Sequence, residues 1–163
     1  RYVSEYGVGA ERIQVFGPGG EYRLHFGSHG DEPGNFNRAM AIGIDKKSRL
    51  FVADTANHRV QRFDTKGKLL DVIGEAGLEK GKLKFPHDLD VAADGSVFVA
   101  EYGTNRVSRF SGDGSFMEAW GTAGRGPGQF NAPRGVAVSE DGRVFVADTD
   151  NHRIQRFRAE LAA

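Results

Sequence analysis

The chain has 163 residues, of which 39% are hydrophobic and 27% are charged, a composition typical of a folded globular protein. Its 22 lysines and arginines balance its 22 aspartates and glutamates, and the zero net charge argues against a dedicated nucleic-acid-binding protein, which needs a basic face to neutralise phosphates. The absence of cysteine excludes disulfides and cysteine-ligated metals, and no apolar run approaches the roughly 20 residues of a membrane span.

A short apolar segment followed by a polar loop recurs four times along the chain. Its clearest copy, residues 51–63, reads FVADTANHRVQRF and returns at residues 145–157 as FVADTDNHRIQRF. Looser copies lie at residues 2–16, with two extra residues in the loop, and at residues 98–110. The closing residues of the four copies are Phe16, Phe63, Phe110 and Phe157, which are 47 positions apart. A fixed period of this length indicates a repeat architecture.

Each repeat contains four short segments whose apolar residues predict β-strands. In the second repeat these segments are residues 41–44, 50–53, 59–63 and 69–73. Turn-forming pairs such as Lys66-Gly67 and Asp94-Gly95 separate consecutive segments, because glycine accepts the positive φ of a tight hairpin. No segment has the sustained helical period that an α-helix requires. The sequence therefore predicts an all-β fold of four-stranded antiparallel sheets.

The repeated motif resembles the NHL repeat. It reads Val-Ala-Asp-Thr-x-Asn-His-Arg-x-Gln-x-Phe, with the sequence FNAP upstream at residues 130–133 and Gly-x-x-Gly loops between units. The resemblance covers essentially the whole chain, and two copies match almost letter for letter. NHL repeats build β-propellers, commonly of six blades, so the resemblance implies a β-propeller of four-stranded antiparallel blades with one 47-residue repeat per blade.

The strands suffice for about three and a half blades of a larger ring. We expect a partial blade in residues 1–27, whole blades in residues 28–74 and 75–121, and a partial blade in residues 122–163. Propellers generally need at least four blades, so further blades from a longer chain or a second copy are expected to close the ring. The chain begins within a repeat at Arg1, which is typical of a processed chain or a fragment. Cysteine-free NHL chains of this style resemble bacterial and exported proteins, which leaves the compartment open.

An acidic residue and an arginine recur on either side of the loop between the second and third strands. The pairs are Glu5 with Arg12, Asp54 with Arg59, Glu101 with Arg106, and Asp148 with Arg153. A carboxylate can serve as a general base, but catalytic groups are seldom copied in every repeat. The pattern therefore predicts a structural clamp, in which a charge-assisted hydrogen bond closes the loop.

His58 and His152 share a motif position that Asn105 occupies in the middle blade. The two histidines belong to blades too far apart to share a metal ion, so we expect them to brace their loops. His25 and His29 are four residues apart at a strand end rather than on a helix, which does not favour a zinc site. The sequence predicts no bound metal, no cofactor and no catalytic residue.

One position near the start of the innermost strand carries a different residue in each repeat: Met40, His87 and Arg134. This position lies near the mouth of the axial channel of a propeller, so we expect these residues to line that channel. The Pro-His context of His87 resembles the zinc-binding histidines of the α-amidating lyases, which are also NHL-type propellers. Catalytic zinc requires about three protein ligands, and neither Met40 nor Arg134 is a suitable ligand.

Asp90 departs from the repeat pattern, since Gly43 and Ala137 stand at the same position. Small residues suit the crowded part of a blade near the axis, and a carboxylate there needs a partner or a proton. We expect Asp90 to form an ion pair that the other repeats lack.

The loops between blades and the loops between second and third strands are expected to share one face of the propeller. That loop-rich face would carry two tyrosines and two charged residues: Tyr6, Tyr102, Arg125 and Asp150. Aromatic and arginine side chains on a rigid rim are typical of a protein-binding surface, and the nearly balanced loop charges favour protein over RNA. The sequence thus predicts a non-catalytic NHL β-propeller scaffold that binds a protein partner or supports assembly. The alternatives are a lyase-like metal-dependent enzyme and an RNA-binding NHL module.

Overall fold

The computed structural model describes residues 1–7 and 9–162, which fold into four antiparallel sheets. The first sheet contains β1 (Tyr2–Glu5), β2 (Arg12–Phe16) and β3 (Tyr22–Phe26). The second contains β4 (Ala39–Ile44), β5 (Leu50–Asp54), β6 (Arg59–Phe63) and β7 (Leu69–Ile73). The third contains β8 (Pro86–Val91), β9 (Val97–Glu101), β10 (Arg106–Phe110) and β11 (Phe116–Trp120). A small parallel pair, β12 (Thr122–Ala123) and β13 (Gln129–Phe130), precedes the fourth sheet of β14 (Pro133–Val138), β15 (Arg143–Asp148) and β16 (Arg153–Arg158).

This architecture confirms the predicted all-β fold and the predicted order of strands within each repeat. Neighbouring strands in each sheet follow one another in the sequence, so every sheet is a simple meander. Single turns of 3₁₀ helix, Thr55–Asn57 and Thr149–Asn151, connect the second and third strands of two repeats. Within the described ranges, no helix has the length and apolar character that a membrane crossing requires.

Alternating side chains bury both faces of the central sheets. On β5, Leu50 and Val52 pack in a cluster with Ile13 of the preceding sheet. Phe51, which points the opposite way on the same strand, packs with Val99 of the following sheet. All five side chains are fully buried. Because burial of a large aliphatic or aromatic side chain contributes about 1.5–3 kcal/mol, the contacts between consecutive sheets are the main source of stability.

The two outer faces of the stack lack this cover. Val3 on the first sheet is 46% exposed, whereas Val52 at the matching position of the second sheet is 0% exposed. Ile154 on the fourth sheet is 66% exposed, and its counterpart Val60 is 0% exposed. The sheets therefore form part of a propeller, and more blades or a partner are needed to cover its ends.

The innermost strands approach each other closely around the axis. A Cβ atom on Gly43 of β4 would lie 2.6 Å from Leu89 Cδ1 on β8, so a larger residue at this position of the second repeat would force Leu89 to move. On β8 itself, the prediction of an ion pair for Asp90 is wrong. Its Oδ2 instead accepts a hydrogen bond from the Val138 N–H of β14 at 2.7 Å. Its Oδ1 accepts the N–H of the following residue, Val91, so backbone donors satisfy both oxygens and no basic side chain is required.

Candidate binding site

Buried acidic residues organise the loops of the loop-rich face. The Asp54 side chain is fully buried at the end of β5. Its carboxylate accepts hydrogen bonds from the Asn37 N–H at 2.7 Å, from Arg59 Nε at 2.7 Å and from Gln61 Nε2 at 3.0 Å. Asn57 Nδ2 also donates to it, at 2.9 Å. These donors come from three different segments, so one carboxylate holds the loop and its surroundings together.

The same network fixes the loop between blades. Arg59 Nη2 donates to the carbonyl oxygens of Glu32 and Asn35, at 2.9 and 3.1 Å. Gln61 donates through Nε2 to the Asn35 carbonyl at 2.7 Å and accepts from the Gly34 N–H through Oε1 at 2.8 Å. The acid–arginine pair is therefore linked to the inter-blade loop by hydrogen bonds, and the two kinds of loop lie on one face.

The other predicted pairs are also in contact. The Nε-to-carboxylate distances are 2.6 Å for Arg12–Glu5, 2.8 Å for Arg106–Glu101 and 2.7 Å for Arg153–Asp148. Burial alone would raise the pKa of the Asp148 carboxyl, but hydrogen bonds from the Asn131 N–H and from the Asn151, Arg153 and Gln155 side chains outweigh it. The pKa of Asp148 is consequently lowered, and the carboxylate stays charged in its network.

A second repeated contact joins consecutive blades. The Phe85 N–H donates to His58 Nδ1 at 3.0 Å, and the Ala132 N–H donates to Asn105 Oδ1 at 2.8 Å. In the first blade, Glu11 accepts from the Arg38 N–H at 2.9 Å. The pKa of His58 is lowered, mainly by burial and secondly by the charge of nearby Lys84. This favours the neutral ring, whose Nδ1 can accept a hydrogen bond. The histidine position thus braces the next blade as well as its own loop.

The three predicted channel residues line one cavity. Met40, His87 and Arg134 surround a cavity of about 240 Å³, which we term the channel-mouth cavity. Its remaining lining residues are Arg38, Thr55, Phe85 and Tyr102. Of the four residues predicted for the loop-rich face, Tyr102 alone belongs to this cavity. The inner strands and the loops therefore meet at the channel mouth.

The cavity wall is ordered by contacts among its own residues. The Arg134 guanidinium carbon lies 5.3 Å from the centre of the Tyr102 ring, a cation–π arrangement. His87 Nδ1 lies 3.0 Å from the Arg134 carbonyl oxygen, and since a carbonyl only accepts, Nδ1 carries the proton of that bond. Thr55 Oγ1 donates to the Pro86 carbonyl at 2.6 Å. These contacts order the Arg134 and His87 side chains at the cavity wall.

Tyr6, Arg125 and Asp150 lie outside the cavity, exposed on separate loops of the same face. Tyr6 is 51% exposed after β1, compared with 42% for Tyr102. The loops of Arg125 and Asp150 are tied to each other, because Asn151 Nδ2 donates to the Gly124 carbonyl at 2.8 Å. The face is thus a broad rim around the cavity rather than one compact cluster.

Sequence reasoning missed Arg38, Thr55 and Phe85 as cavity residues. A signal was present, since Arg38 and Phe85 are 47 positions apart and both have a left-handed backbone, with φ of 61° and 49°. Thr55 and Tyr102 are likewise 47 positions apart. The cavity takes equivalent repeat positions from consecutive blades, so a residue predicted on its wall indicates its counterpart in the next repeat.

The histidines weighed for metal binding have separate surroundings. His25 Nδ1 lies 2.6 Å from the Tyr22 hydroxyl on β3, and His29 is exposed in an inter-blade loop. Among residues 1–7 and 9–162, no group of three or more His, Cys, Asp or Glu side chains is arranged to hold a metal ion.

Comparisons with known proteins agree on the repeat and the fold. The NHL repeat profile matches residues 83–110 and 130–157, and no curated protein sequence matches the chain significantly. Virginiamycin B lyase from Staphylococcus aureus superposes with a TM-score of 0.59 at 14% identity, over 93% of this chain and 50% of that one. Hydrazine synthase from Kuenenia stuttgartiensis gives a TM-score of 0.60 at 15% identity, over 91% and 43%.

A streptogramin B lyase structure gives a TM-score of 0.59 at 15% identity, over 76% of this chain and 38% of that one. At these identities the likeness concerns the β-propeller fold alone. The chain spans no more than half the length of these structures, in keeping with a partial ring.

Proposed function

We propose that this chain, which matches the NHL repeat at residues 83–110 and 130–157 and has a β-propeller fold, is a non-catalytic scaffold that binds a protein partner through its loop-rich face. The observation that carries this proposal is the exposure of Tyr6 and Tyr102 on the loop-rich face, where the buried Arg106–Glu101 pair holds the loop of Tyr102 and the partly exposed Arg12–Glu5 pair holds that of Tyr6. Tyrosine supplies a large contact area with few rotatable bonds, and it is enriched among the residues that dominate binding energy.

The rigidity of the rim supports this function. Arg106 donates to the carbonyl oxygens of Leu78, Glu79 and Lys82 in the loop between two blades, at 2.7, 3.0 and 2.6 Å. A loop fixed in this way loses little conformational entropy when it meets a partner, so more of the contact energy is available for affinity. The clamps therefore serve the binding face as well as the fold.

A partner-capture experiment tests the proposal. The folded wild-type protein is immobilised beside a face variant, Tyr6→Ser with Arg125→Ser, and a control variant, Leu70→Ser with Met117→Ser. The control residues are 43% and 48% exposed on outer strands, away from the loops. We expect the wild type and the control variant to retain the same proteins from a native extract. The face variant should not retain them. Equal retention by all three proteins would overturn the proposal.

A metal-dependent, lyase-like enzyme is the second candidate, favoured by the position of His87 in the channel-mouth cavity. Elemental analysis of the purified, folded protein distinguishes the two. A stoichiometric metal ion that is present in the wild type and absent from the His87→Ala variant would support the enzyme. Binding of single-stranded RNA that weakens steeply with salt would instead support the RNA-binding alternative.

A further inference from the structure

We propose that the channel-mouth cavity binds an anionic oxygen group, and specifically the carboxylate of an acidic side chain on the protein partner. This inference rests on the proposed function and adds the chemistry of one contact. The wall of the cavity contains the guanidinium-bearing Arg38 and Arg134 together with His87, and none of the described residues lining it is acidic. The protein as a whole has no net charge, so this local excess of basic groups is a property of the cavity.

The two arginines of the cavity differ from the arginines of the clamps. In the part of the chain that the structure describes, the clamp arginines Arg59, Arg106 and Arg153 each form an ion pair of 2.7–2.8 Å. Within the same residues, Arg38 and Arg134 form no ion pair, and both are exposed. Their guanidinium groups are therefore free to bind an external anion. A guanidinium presents its N–H groups as a planar fork that matches the two oxygens of a carboxylate.

Among the described residues, the neighbouring carboxylates Glu11 and Asp88 form no ion pair with the cavity arginines, and they accept backbone N–H groups instead. Glu11 accepts the backbone N–H of Arg38 at 2.9 Å. Asp88, which follows His87 on β8, accepts the Val136 N–H at 2.9 Å through Oδ2 and its neighbour Leu89 N–H through Oδ1. Both acids thus interact with the backbone of an adjacent blade.

The size and the apolar part of the wall favour a single side chain. At about 240 Å³, the cavity lies below the range of about 300–1,000 Å³ that is usual for small-molecule and cofactor sites. Met40, Phe85 and Tyr102 supply apolar and aromatic surface beside the basic groups. A glutamate or aspartate side chain has the matching design, with methylene groups for the apolar wall and a carboxylate for the arginines.

Peptide titrations monitored by NMR test this inference. The probes are N-acetylated, C-amidated peptides Ala-Leu-X-Leu-Ala, in which X is glutamate, glutamine or phosphoserine. We expect the glutamate peptide to shift the Nε–H signals of Arg38 and Arg134, and to bind at least tenfold more tightly than the glutamine peptide. Arg38→Gln and Arg134→Gln should each weaken binding of the glutamate peptide about tenfold. Arg156→Gln, a change of an exposed arginine on β16, should leave binding unchanged.

Several outcomes would overturn the inference. Failure of the glutamate peptide to bind, equal binding of the glutamine peptide, or equal weakening by Arg156→Gln would each do so. Tighter binding of the phosphoserine peptide would assign the anionic group to a phosphate, and binding of single-stranded RNA that depends on Arg38 and Arg134 would assign it to a nucleic acid. Partner capture could survive Arg38→Gln and Arg134→Gln but fail in the Tyr6 and Arg125 variant. That result would support the proposed scaffold function and overturn only the proposed role of the cavity.

Discussion

The loop clamp and the channel-mouth cavity occupy the same repeats, but they vary in opposite ways from one repeat to the next. The clamp keeps one chemistry, with an acid at positions 54, 101 and 148 and an arginine five residues later. The cavity position changes from Met40 to His87 to Arg134 at matching places on the inner strands. Positions that keep their chemistry build every blade, whereas positions that change it on a constant backbone are available for recognition.

A neighbouring repeat position beside the cavity also changes its side chain while its backbone stays constant. Arg38, Phe85 and Ala132 occupy one repeat position and have φ of 61°, 49° and 52°. Three unlike side chains therefore share one left-handed conformation, and each residue donates its backbone N–H to a side chain of the preceding blade. The predictions below test whether stability depends on the constant positions and recognition on the variable ones.

The largest expected effect comes from removing a clamp carboxylate. Asp54→Ala leaves the Asn37 N–H, Arg59 and Gln61 without their shared acceptor, and the loss of one member of a buried charged pair costs about 3–5 kcal/mol. Urea denaturation measures the free energy of unfolding. Asp31→Ala, which removes an exposed aspartate of the inter-blade loop, is the control and should change it by less than about 0.5 kcal/mol. Similar losses in the two variants would contradict a special role for the clamp.

A smaller effect is expected at the histidine that joins two blades. Leucine at position 58 cannot accept the Phe85 N–H, so His58→Leu should lower the free energy of unfolding by about 1–3 kcal/mol. The middle repeat offers the conservative replacement, since Asn105 accepts the corresponding N–H. His58→Asn should therefore lose less stability than His58→Leu in urea denaturation at pH 8.

The same histidine gives the protein an acid-sensitive contact. Because burial lowers the pKa of His58 below its ordinary value of 6.5, its contribution to stability is complete above pH 6.5 and is lost as the pH falls through the lowered pKa. Urea denaturation at pH 8 and pH 5 should show a larger loss for the wild type than for His58→Asn. His152→Asn, at the exposed counterpart in the last repeat, serves as the control. An unchanged pH dependence in His58→Asn would rule out this contact as the source.

The half-buried Asp88 and the buried Asp148 should respond to pH in opposite directions. Burial raises the pKa of Asp88 against the hydrogen bonds of the Val136 and Leu89 N–H groups. Its contribution is therefore complete below pH 3.8 and is lost as the pH rises through the raised pKa. Asp148, with its lowered pKa, contributes stability above pH 3.8 that is lost as the pH falls. As the pH rises, the free energy of unfolding of the wild type should fall relative to that of Asp88→Asn and rise relative to that of Asp148→Asn. Urea denaturation over a pH series measures both differences. Slopes of the same sign would contradict this assignment.

The strands were predictable from the sequence because their signals are local. Apolar residues alternate along each strand, and the period of 47 residues carries one repeat onto the next, so the positions of Phe63 and Phe110 define the ends of two third strands. The acid–arginine pairs were placed by the same local logic, since both members flank one short loop. The contact at Asp90 was not predictable, because its partner is a backbone donor of another blade, which no side-chain pattern records.

The cavity was only partly predictable for the same physical reason. Met40, His87 and Arg134 followed from their place on the inner strands, but Arg38 and Thr55 join them through the angle at which consecutive blades meet. The sequence of one repeat contains no information on that angle. The tyrosine–arginine contact across blades, between Tyr102 and Arg134, depends on it as well.

The smallest expected effect is at Arg134, which we compare with Arg153 of the same blade by changing each to methionine. Arg134→Met introduces the residue that the second repeat has at position 40, and it should lower the free energy of unfolding by about 0.5–1 kcal/mol, the contribution of an exposed cation–π contact. Arg153→Met leaves the buried Asp148 without its arginine and should cost several times more. Urea denaturation of the two variants measures the difference. Equal losses would mean that the cavity arginine also maintains the fold, and the division between constant and variable positions would fail at the site where recognition is proposed.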